Sequence, residues 1–161
     1  MLDLALKEDL STRYEFVLFN SDEDQVGALL RQDSTILGLS DAGAHASQLC
    51  DASYALHLLG HFVRERHEFS LEFGVWRLTG HPATALGFDE RGFLRPGYIA
   101  DVCVFDPNTI AELPSERVHD LPGGADRLIK RPVGVEHVLV NGTFIRRDGI
   151  QLDSAPGRVL R

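Results

Sequence analysis

The chain has 161 residues, 43% apolar and 25% charged, which suits a soluble globular protein with one substantial core or two small ones. A net charge of −8 leaves no basic face to neutralise phosphates, so no nucleic-acid partner is expected. No run approaches the ~20 consecutive apolar residues of a membrane span, and acids at Asp3, Glu8 and Asp9 interrupt any signal-peptide core, so a cytoplasmic protein is expected.

Tyr14–Phe19 reads as an apolar strand ending in Asn20. Ser21-Asp22-Glu23-Asp24 reads as a helix start, with Ser21 as cap and Asp24 reaching back to it. Val26, Leu29 and Leu30 supply the apolar stripe of a short helix to Arg31. Ser34 to Leu39 is a second strand, with Thr35, Ile36 and Leu37 as extended-chain formers and Gly38 allowing close backbone approach. Strand, helix and strand from 14 to 41 make one right-handed βαβ unit with parallel strands.

This second strand ends in Ser40-Asp41-Ala42-Gly43-Ala44-His45. A bare carboxylate cannot be buried without a cost of several kcal/mol or more. Asp41 must therefore be paired, hydrogen-bonded or bound to a cation, at the strand end where α/β enzymes keep their chemistry.

A helix is expected over Asp51–Arg66, with Tyr54, Leu58, Leu59, Phe62 and Val63 on one side. Ser70 caps another over Leu71–Thr79, and Pro82 opens a short one that Gly87 closes. His57 and His61 stand at i, i+4, a spacing able to hold a metal, but His57 is followed by Leu58 where a metalloprotease helix has Glu. His67 lies too near the helix end to complete a set. These histidines are read as structural or surface residues.

From Gly92 the pattern becomes all-β. Ile99–Phe105 is a strand carrying Cys103, read as core, and bracketed by Asp101 and Asp106, read as turn-fixing residues. Residues 108–132 are rich in Pro and Gly and read as a long, loosely packed excursion. Val138–Val140, Asn141-Gly142 and Thr143–Ile145 form a hairpin signal, because Asn-Gly suits a type I′ turn. Arg64, Arg66, Arg146 and Arg147 read as solvated charges. Cys50 and Cys103 suggest no disulfide; Cys50 reads as packing rather than as a soft metal ligand. A boundary is placed at 90/91, with an α/β part over 1–90 and an all-β part over 91–161. Two parallel strands with a few helices close no layer, so open edges would invite association.

Ser40-Asp41-Ala42-Gly43-Ala44-His45, the segment His57–Arg66, Arg77-Leu78-Thr79 with Pro82-Ala83, and the pattern Gly92-x-Leu94-x-Pro96-Gly97-x-x-Ala100-Asp101-(apolar)4-Asp106 resemble the C-terminal part of N-acyl-D-amino-acid deacylases of the amidohydrolase superfamily. The closing Val138-Leu139-Val140-Asn141-Gly142 fits the same pattern. The resemblance implies the last strands and helices of a TIM-like (β/α)8 metal-dependent hydrolase barrel, incomplete here, followed by half of a composite β-sandwich. Tyr14–Phe19 would be barrel strand seven and Thr35–Ser40 strand eight.

The resemblance further implies zinc as cofactor and an N-acyl amino acid as substrate. Asp41 would be both metal ligand and catalytic base, taking the proton of a zinc-bound water and passing it to the leaving amine. His45 and Ser40 would face the substrate, with Ser40 mainly positioning the turn. The family's His-x-His motif does not occur among the seven histidines, and a (β/α)8 barrel needs roughly 250 residues. The chain alone is therefore expected to lack the full metal site and deacylase activity. Its missing N-terminal barrel half lies outside this chain, and one alternative is a split amidohydrolase in which another polypeptide supplies it. The other alternative is a non-catalytic remnant that buries its open edges against a copy of itself.

Overall fold

The computed structural model describes every residue except Arg13, Glu15, Phe16, Leu18, Leu39 and Arg161. It divides into two compact units, Met1–Gln32 and Asp33–Arg161. None of the described helices is long and apolar enough to cross a membrane.

The first unit holds helices α1 (Leu2–Lys7) and α2 (Glu23–Leu30). The helix start predicted at Ser21 is displaced by one residue. Asp22 is the N-cap, its Oδ1 accepting from the Gln25 backbone N–H at 3.1 Å and its Oδ2 from Gln25 Nε2 at 2.7 Å. A charged cap followed by a side-chain amide donor outcompetes a serine followed by a second acid, which has no proton to give back. Of the predicted strand Tyr14–Phe19, the residues Glu15, Phe16 and Leu18 lie outside the described set. Tyr14, Val17 and Phe19 carry no strand pairing, and Tyr14 Oη donates to the Met1 carbonyl at 2.7 Å.

The second unit begins with the segment predicted as the other parallel strand. Its described residues, 34–38 and 40, form no ladder. An extended segment becomes a strand only when a neighbour takes its backbone groups, and among the described residues none does.

The helix predicted over Asp51–Arg66 is shorter and of mixed type. A turn of α-helix, α3 (Tyr54–His57), passes into a π-helical run over Leu58–Glu65. Helix α4 (Leu71–Leu78) starts at the predicted cap, where the Ser70 hydroxyl accepts from Phe73 N–H at 3.2 Å. Helix α5 (Gly80–Leu86) begins two residues before Pro82 and ends at Gly87 in the left-handed region; a proline in the first turn removes no helical hydrogen bond.

The β part is a four-stranded antiparallel sheet in the order β1 (Val102–Phe105), β6 (Val135–Val140), β7 (Thr143–Arg147) and β8 (Ile150–Gln151). Asn141 and Gly142 adopt φ of +48° and +74° between β6 and β7, as the type I′ hairpin requires. Cys103 is exposed, against the core placement predicted for it. Val102 is half-buried and Cys103 exposed, because successive residues of a strand face opposite sides and a place inside the edge strand β1 does not by itself turn a side chain inward. Asp101 and Asp106 do fix turns. Asp101 accepts from the Asn141 backbone N–H at 2.8 Å, and Asp106 from the backbone N–H of Asn108 and the Thr109 hydroxyl.

The excursion 108–132 is organised rather than loose. β2 (Ala111–Glu112) pairs with β5 (Pro132–Val133), and β3 (Glu116–Val118) pairs with β4 (Arg127–Ile129), with a 3-10 turn over Pro122–Gly124. Arg131 grips Glu116 and Arg127 grips Asp120, each through two hydrogen bonds between 2.7 and 3.0 Å. The arginines hold both carboxyls below their ordinary pKa range.

The core crosses residue 90. Leu59 and Val63 of the π-helical run pack with Ile110, and Phe69, Val75, Leu78, Phe105 and Val135 surround them. Ile110 is 2% exposed, and two glycines make room for it. A Cβ on Gly60 would lie 2.8 Å from its carbonyl oxygen, and one on Gly134 would lie 2.6 Å from its nitrogen. Arg64, predicted as a solvated charge, instead donates to the Ile110 carbonyl. Gly134 also has φ of +75°. Gly134→Ala is therefore expected to destabilise the unit by about 2–4 kcal/mol, combining left-handed strain with overpacking. Urea denaturation of the variant, with an unchanged midpoint as the contrary outcome, checks this.

Candidate active site

The segment leading to Asp41 is held from the helical side by one buried cation. Arg77 on α4 is 1% exposed, and its Nη2 donates to Thr35 Oγ1 at 2.9 Å while its Nη1 donates to His81 Nδ1 at 2.9 Å. His81 Nε2 then donates to the Asp33 carbonyl at 3.1 Å, which fixes the neutral tautomer with its proton on Nε2. Trp76 stacks on the His81 ring at 4.5 Å between centroids. Burial pushes the Arg77 pKa down, and the charge of Asp33 opposes it.

Beyond Leu39 the chain turns sharply. Ser40 Oγ accepts from Ala42 N–H at 3.4 Å, the turn-positioning role expected of it. The Asp41 carbonyl accepts from Ala44 N–H at 3.2 Å, and the His45 carbonyl accepts from the N–H groups of Gln48 and Leu49. Gly43 and His45 take φ of +88° and +52°. The Asp41 and His45 side chains are exposed, and neither hydrogen-bonds to another described residue. Ser40, Asp41 and His45 thus share one short loop without forming a bonded triad.

His57 and His61 form no metal site. Their rings stack at 4.9 Å, and each is turned to a carboxylate: His57 Nδ1 lies 3.5 Å from Glu112, and His61 Nδ1 3.1 Å from Glu65. Among the described residues no three His, Cys, Asp or Glu side chains converge as metal ligands. The described residues therefore assemble no complete zinc site, and Asp41 could supply one ligand.

Two features escape sequence reasoning. Glu112 gathers Lys130 at 3.1 Å, His57 and the Ser53 hydroxyl. The β3–β4 hairpin also reaches the Asp41 loop: Leu128 N–H donates to the Ala46 carbonyl at 2.8 Å, and Arg117 Nη1 to the Ser47 carbonyl at 3.1 Å. A cleft of about 260 Å³ lined by Leu78, Pro82, Leu86, Phe88, Arg91 and Asp101 includes no residue of this loop, and its Arg91 is occupied by Asp101 and Asn141.

Residues 5–146 match the model of the amidohydrolase family. The chain is 32% identical over 146 residues to a D-aminoacylase of Alcaligenes xylosoxydans xylosoxydans, covering 89% of this chain and 28% of that protein. A solved structure of a D-aminoacylase mutant in complex with copper chloride superposes with a TM-score of 0.52 at 35% identity, over 66% of this chain and 20% of the other. An N-acyl-D-glutamate deacylase from Bordetella bronchiseptica, solved with zinc and a phosphonate inhibitor, is 41% identical over 56% of this chain and 17% of its own, with a TM-score of 0.45. The chain spans less than a third of the length of these relatives. The D-aminoacylase on which it superposes at 35% identity has the amidohydrolase fold. The chain belongs to the amidohydrolase family.

Proposed function

We propose that this chain is the C-terminal portion of a metal-dependent amidohydrolase that removes the acyl group from N-acyl-D-amino acids. Asp41 is its proton-transfer carboxylate, and Ser40 and His45 face the substrate. The observation that carries this reading is the contrast at Asp41. The chain before it is tied down through Arg77 and His81, and the loop after it through Leu128 and Arg117, yet the carboxylate between them is left exposed and bonded to no described residue. A carboxylate held by its backbone and free at its oxygens suits a base that takes a proton from an attacking water and returns it to the leaving amine. The relatives named D-aminoacylase and N-acyl-D-glutamate deacylase supply the substrate class.

The remaining metal ligands would come from a second segment carrying the rest of the barrel. Large apolar side chains are exposed in the first unit: Leu2 at 80%, Leu10 at 73% and Phe19 at 81%. Such exposure favours a chain that meets a partner.

The test is a deacylation assay with zinc on N-acetyl-D-amino acids. The 161-residue chain alone is expected to show no turnover above background and to retain no stoichiometric zinc after gel filtration. The assembled enzyme, in which the chain is joined to the preceding barrel strands, is expected to turn over. Hydrolysis by the isolated chain at ordinary enzyme rates, resistant to chelator, would overturn the proposal.

A further inference from the structure

The loop that carries Asp41 cannot hold its own shape. It places Gly43 and His45 in the left-handed region, which for histidine costs conformational energy. Among the described residues its internal hydrogen bonds are local ones, from Ala42 to the Ser40 hydroxyl, from Ala44 to Asp41 and from Gln48 and Leu49 to His45. An isolated two-stranded hairpin is likewise marginal in water, and among the described residues β3–β4 joins no third strand.

Each supplies what the other lacks. Arg117 and Leu128 are register partners on the hairpin. From this single rung, Leu128 gives its backbone N–H to the Ala46 carbonyl and Arg117 gives its guanidinium to the Ser47 carbonyl. Two donors fixed at one level of a ladder thus meet two consecutive carbonyls of the loop. Leu128 can do this because its N–H points outward from the pair, as at a non-hydrogen-bonded rung of an antiparallel ladder. Asp126, one residue before β4, holds the Arg117 guanidinium in place by an ion pair.

We propose that the β3–β4 hairpin is a clamp for the Asp41 loop, with Arg117 as its positioning residue. The catalytic consequence rests on the reading of Asp41 as the proton-transfer group; the clamp itself does not. Arg117 touches neither Asp41 nor His45, and acts by fixing Ala46 and Ser47, through which the His45 turn and the Asp41 backbone are held. The charge-assisted bond from Arg117 and the neutral bond from Leu128 act together, so loss of the arginine removes the stronger of the two donors the hairpin gives the loop.

Amide hydrogen exchange on the 161-residue chain reads the clamp directly. In Arg117→Ala, the amides of Ala44, Gln48 and Leu49 are expected to exchange about tenfold faster or more. Arg131→Ala removes another cross-strand ion pair of the same region without contacting the loop, and is expected to leave those amides within about twofold. Arg117→Lys, which keeps the charge but loses the fork, is expected to restore part of the protection. Equal acceleration in the Arg117→Ala and Arg131→Ala variants, or none in either, overturns the clamp. In the assembled deacylase, Arg117→Ala is expected to lower kcat about tenfold or more with KM nearly constant; an unchanged kcat overturns the positioning role. A wild-type assembly that hydrolyses no N-acyl-D-amino acid removes the reading of Asp41, while the exchange result still decides the clamp.

Discussion

Arg77→Ala is expected to lower the stability of the second unit by about 3–5 kcal/mol, the range for deleting a large, fully enclosed side chain together with its buried hydrogen bonds. Arg77 is the largest fully buried side chain of the described residues, at 1% exposure, so its removal opens a void in the packed interior. The deletion also leaves the Thr35 hydroxyl and His81 Nδ1 without their donor. Once His81 is freed to rotate, the Asp33 carbonyl loses its partner in turn. One effect works the other way: burial already pushes the Arg77 pKa down, a sign that the charge is held there against a desolvation cost. Arg77→Met discriminates between these effects, because it keeps most of the stem volume and discards the charge. It is expected to cost about 1–3 kcal/mol, less than the alanine variant. Urea unfolding followed by Trp76 fluorescence measures both. A loss below about 1 kcal/mol in Arg77→Ala would mean that the Thr35 and His81 contacts contribute nothing net.

Limited proteolysis separates a local role for Arg77 from a global one. Cleavage within residues 33–38 should accelerate in Arg77→Met even where the midpoint shifts little, because the helices keep their own ladder while the described residues of the segment before Asp41 have none. This ordering of effects follows from how the segment is held. It is fixed by side chains reaching over from α4 and α5 rather than by strand neighbours.

How far the sequence reveals this arrangement depends on the kind of interaction involved. Signals confined to a few residues are legible: the Ser70 cap, the Gly87 stop and the Asn141-Gly142 turn all sit where local backbone chemistry puts them. The family is legible for a similar reason, since Ser40–His45 and Gly92–Asp106 are contiguous patterns. The Asp22 cap shows the limit of local reading, because Ser21 and Asp22 offer the same chemistry one residue apart and the proton donor at Gln25 decides between them. Interactions at long separation are not legible. Nothing near Thr35 announces Arg77, nothing near Ser47 announces Arg117, and nothing near His57 announces Glu112. The excursion 108–132 looked loose because its strands are two or three residues long, too short for an alternation to register, and because arginine–carboxylate pairs and backbone bonds organise it rather than an apolar face. Cys103 faces out because membership of a strand does not say which side a residue takes, and its neighbour Val102 holds the inner side.

The exposed carboxylate carries the other large expectation. In the assembled deacylase, Asp41→Asn is expected to lower kcat by about two to four orders of magnitude, the range for removing a positioned general acid–base group. The variant keeps the shape of the side chain and removes its ability to take a proton, so the loop should be undisturbed. Its turn depends on the Asp41 carbonyl and on the Ser40 hydroxyl, neither of which is altered. Stability should accordingly change by less than about 0.5 kcal/mol, since the native carboxylate is solvated and bonded to no described residue. KM should move little if Asp41 acts on the reacting water rather than on the substrate's recognition groups. Asp41→Glu places the same carboxyl one methylene further out and should recover only part of the rate, because a small misplacement at a reacting centre is already costly. His45→Ala provides the contrast: a side chain facing the substrate should raise KM more than it lowers kcat. Steady-state kinetics on N-acetyl-D-amino acids, with the denaturation midpoint of each variant alongside, reads all three. Full activity in Asp41→Asn at unchanged stability would remove Asp41 from the chemistry. A large loss of stability in the same variant would instead make it a structural carboxylate, whose partner must then lie on the barrel strands joined to this chain.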